Sequence, residues 1–275
     1  MPRAFKPVLA HLGLIVATLG SVYPIAVVFG ISLRPSNALY STSLRILPED
    51  ATFAAYRVLL RERDFLLWMR NSTIVAAGVT LIGVALAATA AYALSRYHFR
   101  GRSVSLYSFL LTQMFPVTML LLPLYVLLRR LQLLDTLPGL IIAYVTTTLP
   151  FCVWTLKGYY DTVPRELEEA AMIDGMSPMG AFLRVTLPLS APAVAITAIF
   201  SFIAGWSEFI VARVILANPN LYTLPVGLAG LAGIYQTEWA NYAAGSILVC
   251  IPVVGLFVLL NRYLVSGLTL GGIKG

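Results

Sequence analysis

Val163-Pro164-Arg165-Glu166-Leu167-Glu168-Glu169-Ala170-Ala171-Met172-Ile173-Asp174-Gly175-Met176-Ser177-Pro178 is a polar stretch set between long apolar runs. Its punctuation predicts a pair of short helices. Pro164 suits the first helical position, and Glu166, Glu168 and Glu169 place negative charge at the positive end of the helix dipole. Leu167, Ala170, Ala171 and Asp174 recur at helical spacing, so a face of mostly small residues runs along one side. Gly175 is the expected stop, because glycine tolerates the left-handed cap. Ser177 and Pro178 then cap and open a second helix, running to about Val185 ahead of Leu187-Pro188. A helix of about three turns is marginal alone in water and needs something to pack on. An amphipathic connector lying on a bilayer is one reading, but it calls for large apolar residues and lysines, not alanines and acids. A second protein suits this composition better.

Outward from that stretch the chain is apolar. Of its 275 residues 59% are hydrophobic and 11% charged, where an average soluble domain carries about 25% charged residues. This is a membrane protein. The net charge of +7 is spread over connectors and forms no stripe of the kind that binds nucleic acid. Cys152 and Cys250 fall inside apolar runs without ligand spacing and read as small buried hydrophobes. His11 and His98 lack acidic or cysteine company, so no metal site is expected.

The apolar runs predict an all-α integral membrane protein of six spans, at about 8–31, 72–95, 104–128, 137–156, 188–216 and 242–264. The first run is too long for the core of a signal peptide and reads as an uncleaved span. Phe53, Tyr56, Leu59 and Leu60 suggest a short amphipathic helix before the second span, which Asn71-Ser72 opens. The second span is rich in alanine and glycine, the residues that let helices approach closely in lipid. Arg96, His98, Arg100 and Arg102 follow it as a basic connector. In the third span Gln113 sits near Pro116 and Pro123; a bent helix here either lines a path or is a kinked packing helix. Glu208 and Arg213 are the ionised residues well inside a span, the fifth, where such groups face a bundle interior or a wet cavity. Five residues apart on a helix is a rotation of about 140°, so they do not pair with each other. Glu208 is a candidate helix anchor or pathway residue.

Glu169-Ala170-Ala171, Gly175, Val185 and Leu187-Pro188, at their spacing in this chain, resemble the EAA loop of ABC-importer permeases. Valine at 185 replaces the usual isoleucine. Trp206-Ser207-Glu208-Phe209 is similar to that family's Trp-Asn-Glu-Phe pattern, with serine for asparagine. Tyr222-Thr223-Leu224-Pro225-Val226-Gly227 and the closing Gly267-Leu268-Thr269, Gly271-Gly272 and Lys274-Gly275 resemble the maltose-type sugar permeases. The resemblance extends over nearly the whole chain and implies a single permease domain, residues 1–275, with the type I ABC importer permease fold. It makes 163–187 a cytoplasmic coupling loop between spans four and five, its ATPase-coupling residues being Glu169, Ala170, Ala171, Gly175, Leu187 and Pro188.

The same resemblance implies that the tail, 265–275, touches the ATPase pair through Gly267, Gly271, Gly272 and Lys274. It turns the loop bearing Tyr222, Thr223, Leu224, Pro225 and Gly227 outward, towards a sugar-binding protein; a plain hairpin anchored by Trp239 is the alternative. The partners it implies are a cytosolic ABC ATPase dimer, a second, related permease chain and an extracytoplasmic sugar-binding protein, within the lipid bilayer of a bacterial or archaeal cytoplasmic (inner) membrane. In such importers the other permease chain holds most sugar contacts. Both termini are expected in the cytoplasm, an orientation that lysine and arginine counts support only weakly. No G-x-x-x-x-G-K-[ST] stretch occurs, so no cofactor is expected on this chain, and ATP and Mg belong on the partner ATPase. The expected function is import of a sugar, maltose, maltodextrin or trehalose, by alternating access. An ATP-independent secondary transporter of a small polar solute is the competing reading, with Glu208 its one intramembrane acid. No nucleophile–base or metal constellation suggests an enzyme.

Overall fold

The computed structural model describes residues 5–35, 46–233 and 237–271, and these are helical apart from turns and one isolated bridge, Ala232 to Thr237. In chain order the helices are α1 (Phe5–Ser32), α2 (Ala54–Arg61), α3 (Phe65–Arg96), α4 (Arg102–Gln113), α5 (Val117–Arg130) and α6 (Leu137–Tyr160). Then follow α7 (Arg165–Ile173), α8 (Pro178–Ala181), a π-helical turn (Phe182–Thr186), α9 (Leu187–Leu189), α10 (Ala191–Ser207) and α11 (Ile210–Ile215). A 3₁₀ turn (Pro219–Leu221), α12 (Leu224–Ala229) and α13 (Trp239–Gly271) complete the described chain. By length and composition, Ala10–Ser32, α3, α6 and Trp239–Asn261 are each able to cross a membrane; two bent pairs bring the total to as many as six.

Those bent pairs depart from the sequence reading. The third apolar run is two helices, α4 and α5, meeting at 107°. Pro116 lacks an N–H and disfavours helical backbone at Phe115, so the helix stops there; Pro123 is accommodated inside α5. The fifth run is broken twice. Pro178–Leu189 meets α10 at 79°, and α10 ends at Ser207, where Glu208 turns extended (ψ 130°) before α11 begins. Glu208 and Arg213 therefore do not share one continuous helix. α3 starts at Phe65, ahead of Asn71-Ser72, which lie fully buried within it. α13 continues to Gly271 where a tail was expected from 265. Cys250, expected buried, is exposed.

The chain divides into two compact units. The larger comprises residues 67–226 and 253–275, and two apolar clusters hold it together, both shared by α3 and α6. In one, Val75 and Val79 meet Leu140, Tyr144, Leu128 of α5 and Val211 and Ile215 of α11. In the other, Ala87, Ala91 and Leu94 meet Cys152, Leu156, Tyr160, Phe182 and Ala193. Small residues set the spacing: a Cβ on Gly205 of α10 would stand 3.0 Å from the Ala76 Cα of α3. Buried Asn71 donates to the carbonyls of Asn220 (2.9 Å) and Tyr222 (3.0 Å), and Ser72 Oγ accepts from Leu224 N (2.7 Å), fastening the 220–224 loop to α3. Asp135 Oδ1 accepts from Ala217 N and Asn218 N, both 2.9 Å, which ties the α5–α6 turn to the end of α11.

The smaller unit comprises residues 1–66 and 227–252. The amphipathic helix expected near Phe53 forms as α2, with Leu59 fully buried. Ser32 Oγ and Tyr56 OH share a hydrogen bond of 2.8 Å that joins the end of α1 to α2. Arg63 pairs with Glu238, and Asn241 Nδ2 donates to the other Glu238 oxygen at 2.7 Å, holding the start of α13. Along α1, Leu12, Leu14, Ile15, Val16 and Leu19 are all exposed, an apolar surface suited to lipid or protein rather than water.

Candidate coupling site

The expected coupling loop, residues 163–187, folds much as its punctuation predicts. Pro164 stands immediately before α7, and Glu166 and Glu168 occupy the first turn. Gly175 takes the left-handed backbone (φ +91°), with its N–H on Met172 O and the Met176 N–H on Ala171 O, an arrangement that closes the helix end. Ser177 Oγ accepts from Gly180 N at 3.1 Å and opens α8 with Pro178 in its first turn. The second helix does not stop at Val185. It widens into the π turn, in which Leu187 N reaches back five residues to Phe182 O; Pro188, with no N–H, cannot continue the regular register.

Which face of α7 is fastened differs from the reading of its sequence. Glu168 and Ala171 point inward, while Leu167, Glu169, Ala170 and Asp174 are exposed. Two donors of Arg96, at the end of α3, converge on Glu168 Oε1: Nε at 2.7 Å and Nη2 at 2.6 Å. Thr186 of the π turn donates to the same oxygen (2.7 Å) and Tyr92 of α3 to Oε2 (2.8 Å). The rest of the Arg96 fork reaches Tyr160 O (2.9 Å), Val163 O (3.1 Å) and Ser95 Oγ (3.3 Å). Both side chains are more than nine-tenths buried, at 8% and 6% exposure. One ion pair thus holds α3, the end of α6, α7 and the π turn. Arg96, expected to open the basic connector, instead ends α3 as a buried anchor. Helical spacing marks Glu168 only as a neighbour of Glu169; its partners lie 72 and 76 residues away, beyond any local signal.

Burial alone pushes the Glu168 carboxyl up, but hydrogen bonds from Arg96, Thr186 and Tyr92 and the Arg96 charge outweigh it and hold it below the ordinary glutamate value. Asp161, just past α6, behaves alike: burial raises it, while Lys157 (2.6 Å) and Ser95 (2.7 Å) bring it below the usual carboxylate range. The outer surface of the loop is apolar as well as acidic. Leu167, Met172, Ile173, Met179 and Leu183 are exposed, Ile173 at 86%. Among the described residues nothing covers that surface.

The remaining expected residues lie elsewhere. Leu187 is half-buried and Pro188 exposed, at the outgoing end of the loop. Gln113 ends α4 and donates to Thr147 O at 3.1 Å. Glu208 caps α11: its carboxylate accepts from Val211 N (3.0 Å), Ala212 N (3.2 Å) and the Tyr144 hydroxyl (2.8 Å). Arg213 turns instead to Tyr222, donating to its hydroxyl at 3.1 Å. In the expected outward loop, Thr223, Leu224 and Gly227 are buried, and Tyr222 and Pro225 are half-buried. Thr223 and Leu224 thus serve packing, and any surface for a partner lies on their neighbours. Gly267 and Gly271 lie in α13, while Gly272 and Lys274 fall outside the described residues. Among the described residues no cluster of His, Cys, Asp and Glu has the makings of a metal site.

The profile of the family described as "binding-protein-dependent transport system inner membrane component" matches residues 79–269, a span that takes in α7 and its anchor. The chain belongs to this family. It is a multi-pass membrane component of such a transport system, with the type I permease fold. The permease is 38% identical to the maltose/maltodextrin transport system permease protein MalG of Salmonella typhimurium, over 99% of this chain and 97% of that one. It is 36% identical to the trehalose transport system permease protein SugB of Mycobacterium tuberculosis, over 93% of each. It is also 38% identical to the galactooligosaccharides transport system permease protein GanQ of Bacillus subtilis, over 92% and 90%. Among solved structures, a chain of a bacterial ABC transporter that imports the acidic polysaccharide alginate superposes with a TM-score of 0.82 at 25% identity, covering 95% of this chain and 96% of that one.

Proposed function

We propose that this permease is one half of the membrane pore of an ATP-driven sugar importer, and that α7 is the lever through which a cytosolic ATPase drives it. The observation that carries this reading is the two-sidedness of α7. Its inner face is locked to α3, α6 and the π turn through Glu168, while its outer face exposes Leu167, Met172 and Ile173 beside Glu169. An exposed apolar patch rimmed by charge suits a protein partner. ATP and Mg²⁺ bind on that partner. Closure of the ATPase dimer moves α7 as a rigid body, and its anchored spans rock between inward- and outward-open states. This orientation puts both termini in the cytoplasm.

A sugar-loaded binding protein on the outer face favours the closure-competent state by binding it better. A second, related permease chain completes the pore, and the tail from Gly267 to Lys274 adds to the ATPase contact. Neutral saccharides of the kind named for the relatives, maltodextrins and trehalose among them, are the proposed cargo.

The test is affinity purification of the chain from its native membranes in mild detergent, followed by mass spectrometry. A cytosolic ATPase, a second permease and a solute-binding protein are expected with it. Recovery of the chain alone or as a homodimer, with no ATPase even after crosslinking at residues 164–178, overturns the reading. An ATP-independent carrier then takes its place.

A further inference from the structure

We infer that the polar cleft where α3, α4, α6 and α7 meet is a site for one phosphate group at the membrane boundary, carried by an anionic phospholipid or present as free phosphate. Of the basic connector expected after α3, Arg96 is absorbed by the α7 anchor, while Arg102 is not. The cleft has a volume of about 540 Å³, and Ser95, Arg96, Arg102, Asp161, Arg165 and Glu166 give it polar walls. Its depth in the membrane follows from the helices around it. α3 ends at Arg96, α6 ends at Tyr160 and α4 starts at Arg102, so three apolar stretches change to charged sequence where they meet. Tyr97, exposed in the connector between Arg96 and Arg102, is of the residue type enriched where membrane meets water. Basic pockets between spans at that level bind phospholipid headgroups.

The ionised side chains lining the cleft do not balance. Arg96 is met by Glu168 at 2.6 Å, and Asp161 by Lys157 at 2.6 Å, with Arg102 acting on Asp161 as well. That leaves Arg102 and Arg165 against Glu166, an excess of one positive charge that a single phosphodiester would neutralise. Both arginines are held in place to donate. Arg102 directs its Nε to Leu94 O (2.7 Å) and Arg165 its Nη2 to Ser95 O (3.1 Å), which fixes both stems to the end of α3. Among the described residues, the terminal amino groups of Arg102 and the Nε and Nη1 of Arg165 have no protein acceptor. Guanidinium N–H pairs match phosphate oxygens in geometry and charge. α7 starts here with no side-chain cap, and its first N–H groups add to the positive field. The residues of α7 offered to the ATPase, Leu167, Met172 and Ile173, contribute nothing to the lining. The cleft is thus separate from that apolar surface, and its chemistry calls for an anion.

The protein, purified from its native membranes in neutral detergent with whatever chains accompany it, is titrated with phosphatidylglycerol and, separately, with phosphatidylcholine of the same acyl chains. Bound lipid is counted by native mass spectrometry, and binding of radiolabelled inorganic phosphate by equilibrium dialysis. Phosphatidylglycerol is expected to be retained in preference to phosphatidylcholine, whose choline cation cancels the charge that Arg102 and Arg165 meet. Arg102→Gln and Arg165→Gln should each weaken that binding roughly fivefold, the effect of one cation near an anionic headgroup. Glu166→Gln, at an exposed position, should tighten it by a similar factor. The opposite signs separate a local site from damage to folding, which only weakens. No preference between the lipids, but phosphate binding that Arg102→Gln weakens and Glu166→Gln tightens, assigns the site to free phosphate. A lipid preference that none of the three substitutions alters overturns the proposal. So does equal retention of the two lipids with phosphate binding equally indifferent to them, the result expected if another protein covers the cleft.

Discussion

Removing the Glu168 carboxylate would leave the Arg96 guanidinium in a buried site with its charge unanswered. Breaking a buried pair in this way costs about 3–5 kcal/mol, so Glu168→Ala is expected to lower the unfolding midpoint of the detergent-solubilised protein strongly. Glu168→Gln keeps an acceptor for Arg96, Thr186 or Tyr92 and should fall between the two. Equal midpoints for all three proteins would show that the pair holds nothing. The sign of the pH dependence follows from the lowered carboxyl. Its contribution is complete above the ordinary value of 4.5 and is lost as pH falls through the lower folded value. The gap between wild type and Glu168→Gln should therefore close on acidification below pH 4.5 and stay constant above it; a gap that widens in acid contradicts the assignment. Gly175 is constrained by backbone alone, since a Cβ there meets nothing within 4 Å. At φ +91° a branched side chain is strained by about 1–3 kcal/mol, so Gly175→Val should destabilise and misplace α7, while Gly175→Asn, tolerant of left-handed backbone, is milder. Comparable thermal midpoints for the two variants would contradict this.

Among the elements, the breaks matter more than the helices. The α10–α11 break survives because Glu208 supplies acceptors to the new helix start and is itself held by Tyr144 of α6. Loss of a helix cap costs about 0.5–2 kcal/mol, and Glu208→Ala is expected to lie at the upper end because the Tyr144 hydroxyl loses its 2.8 Å carboxylate partner and keeps only the residue 208 carbonyl at 3.3 Å. Tyr144→Phe removes only that hydroxyl, so the double variant should cost less than the sum of the two. Additive effects in thermal unfolding would show that the pair is not coupled. Close packing of α3 on α10 makes a second prediction. Gly205→Leu places side-chain atoms against the Ala76 backbone, which cannot yield as a flexible side chain does. The variant should accumulate in membranes at a small fraction of the wild-type level, and normal accumulation would refute the close approach.

For the whole molecule, the proposed transmission depends on α7 being rigid against its own chain and exposed to another. Glu169 is exposed and takes no part in the anchor, so Glu169→Lys should leave membrane level and thermal midpoint unchanged. Transport is expected to fall roughly tenfold or more, since a reversed charge at a protein interface costs several kcal/mol. Uptake at the wild-type rate would remove α7 from the coupling path. Much of this organisation is legible in the sequence because it is local. Apolar runs of membrane length, an acid-rich first turn, a glycine stop and a Ser-Pro start each act within a few residues. The helices α6, α7 and α13 follow from such signals.

What the sequence by itself determined is therefore the class of the molecule, its unbroken membrane-length helices and the presence and ends of α7, all set by hydrophobicity and capping chemistry over short distances. The tertiary structure decided the rest. Whether a proline bends a span or breaks it depends on what can satisfy the freed backbone, and Pro116 and Pro123 differ in outcome within one run. Which acid of Glu168-Glu169 is the anchor depends on Arg96, Tyr92 and Thr186, brought together only when α3 packs beside the π turn. A buried charge takes its role from the partners that pay its desolvation, and those partners are assembled by the fold.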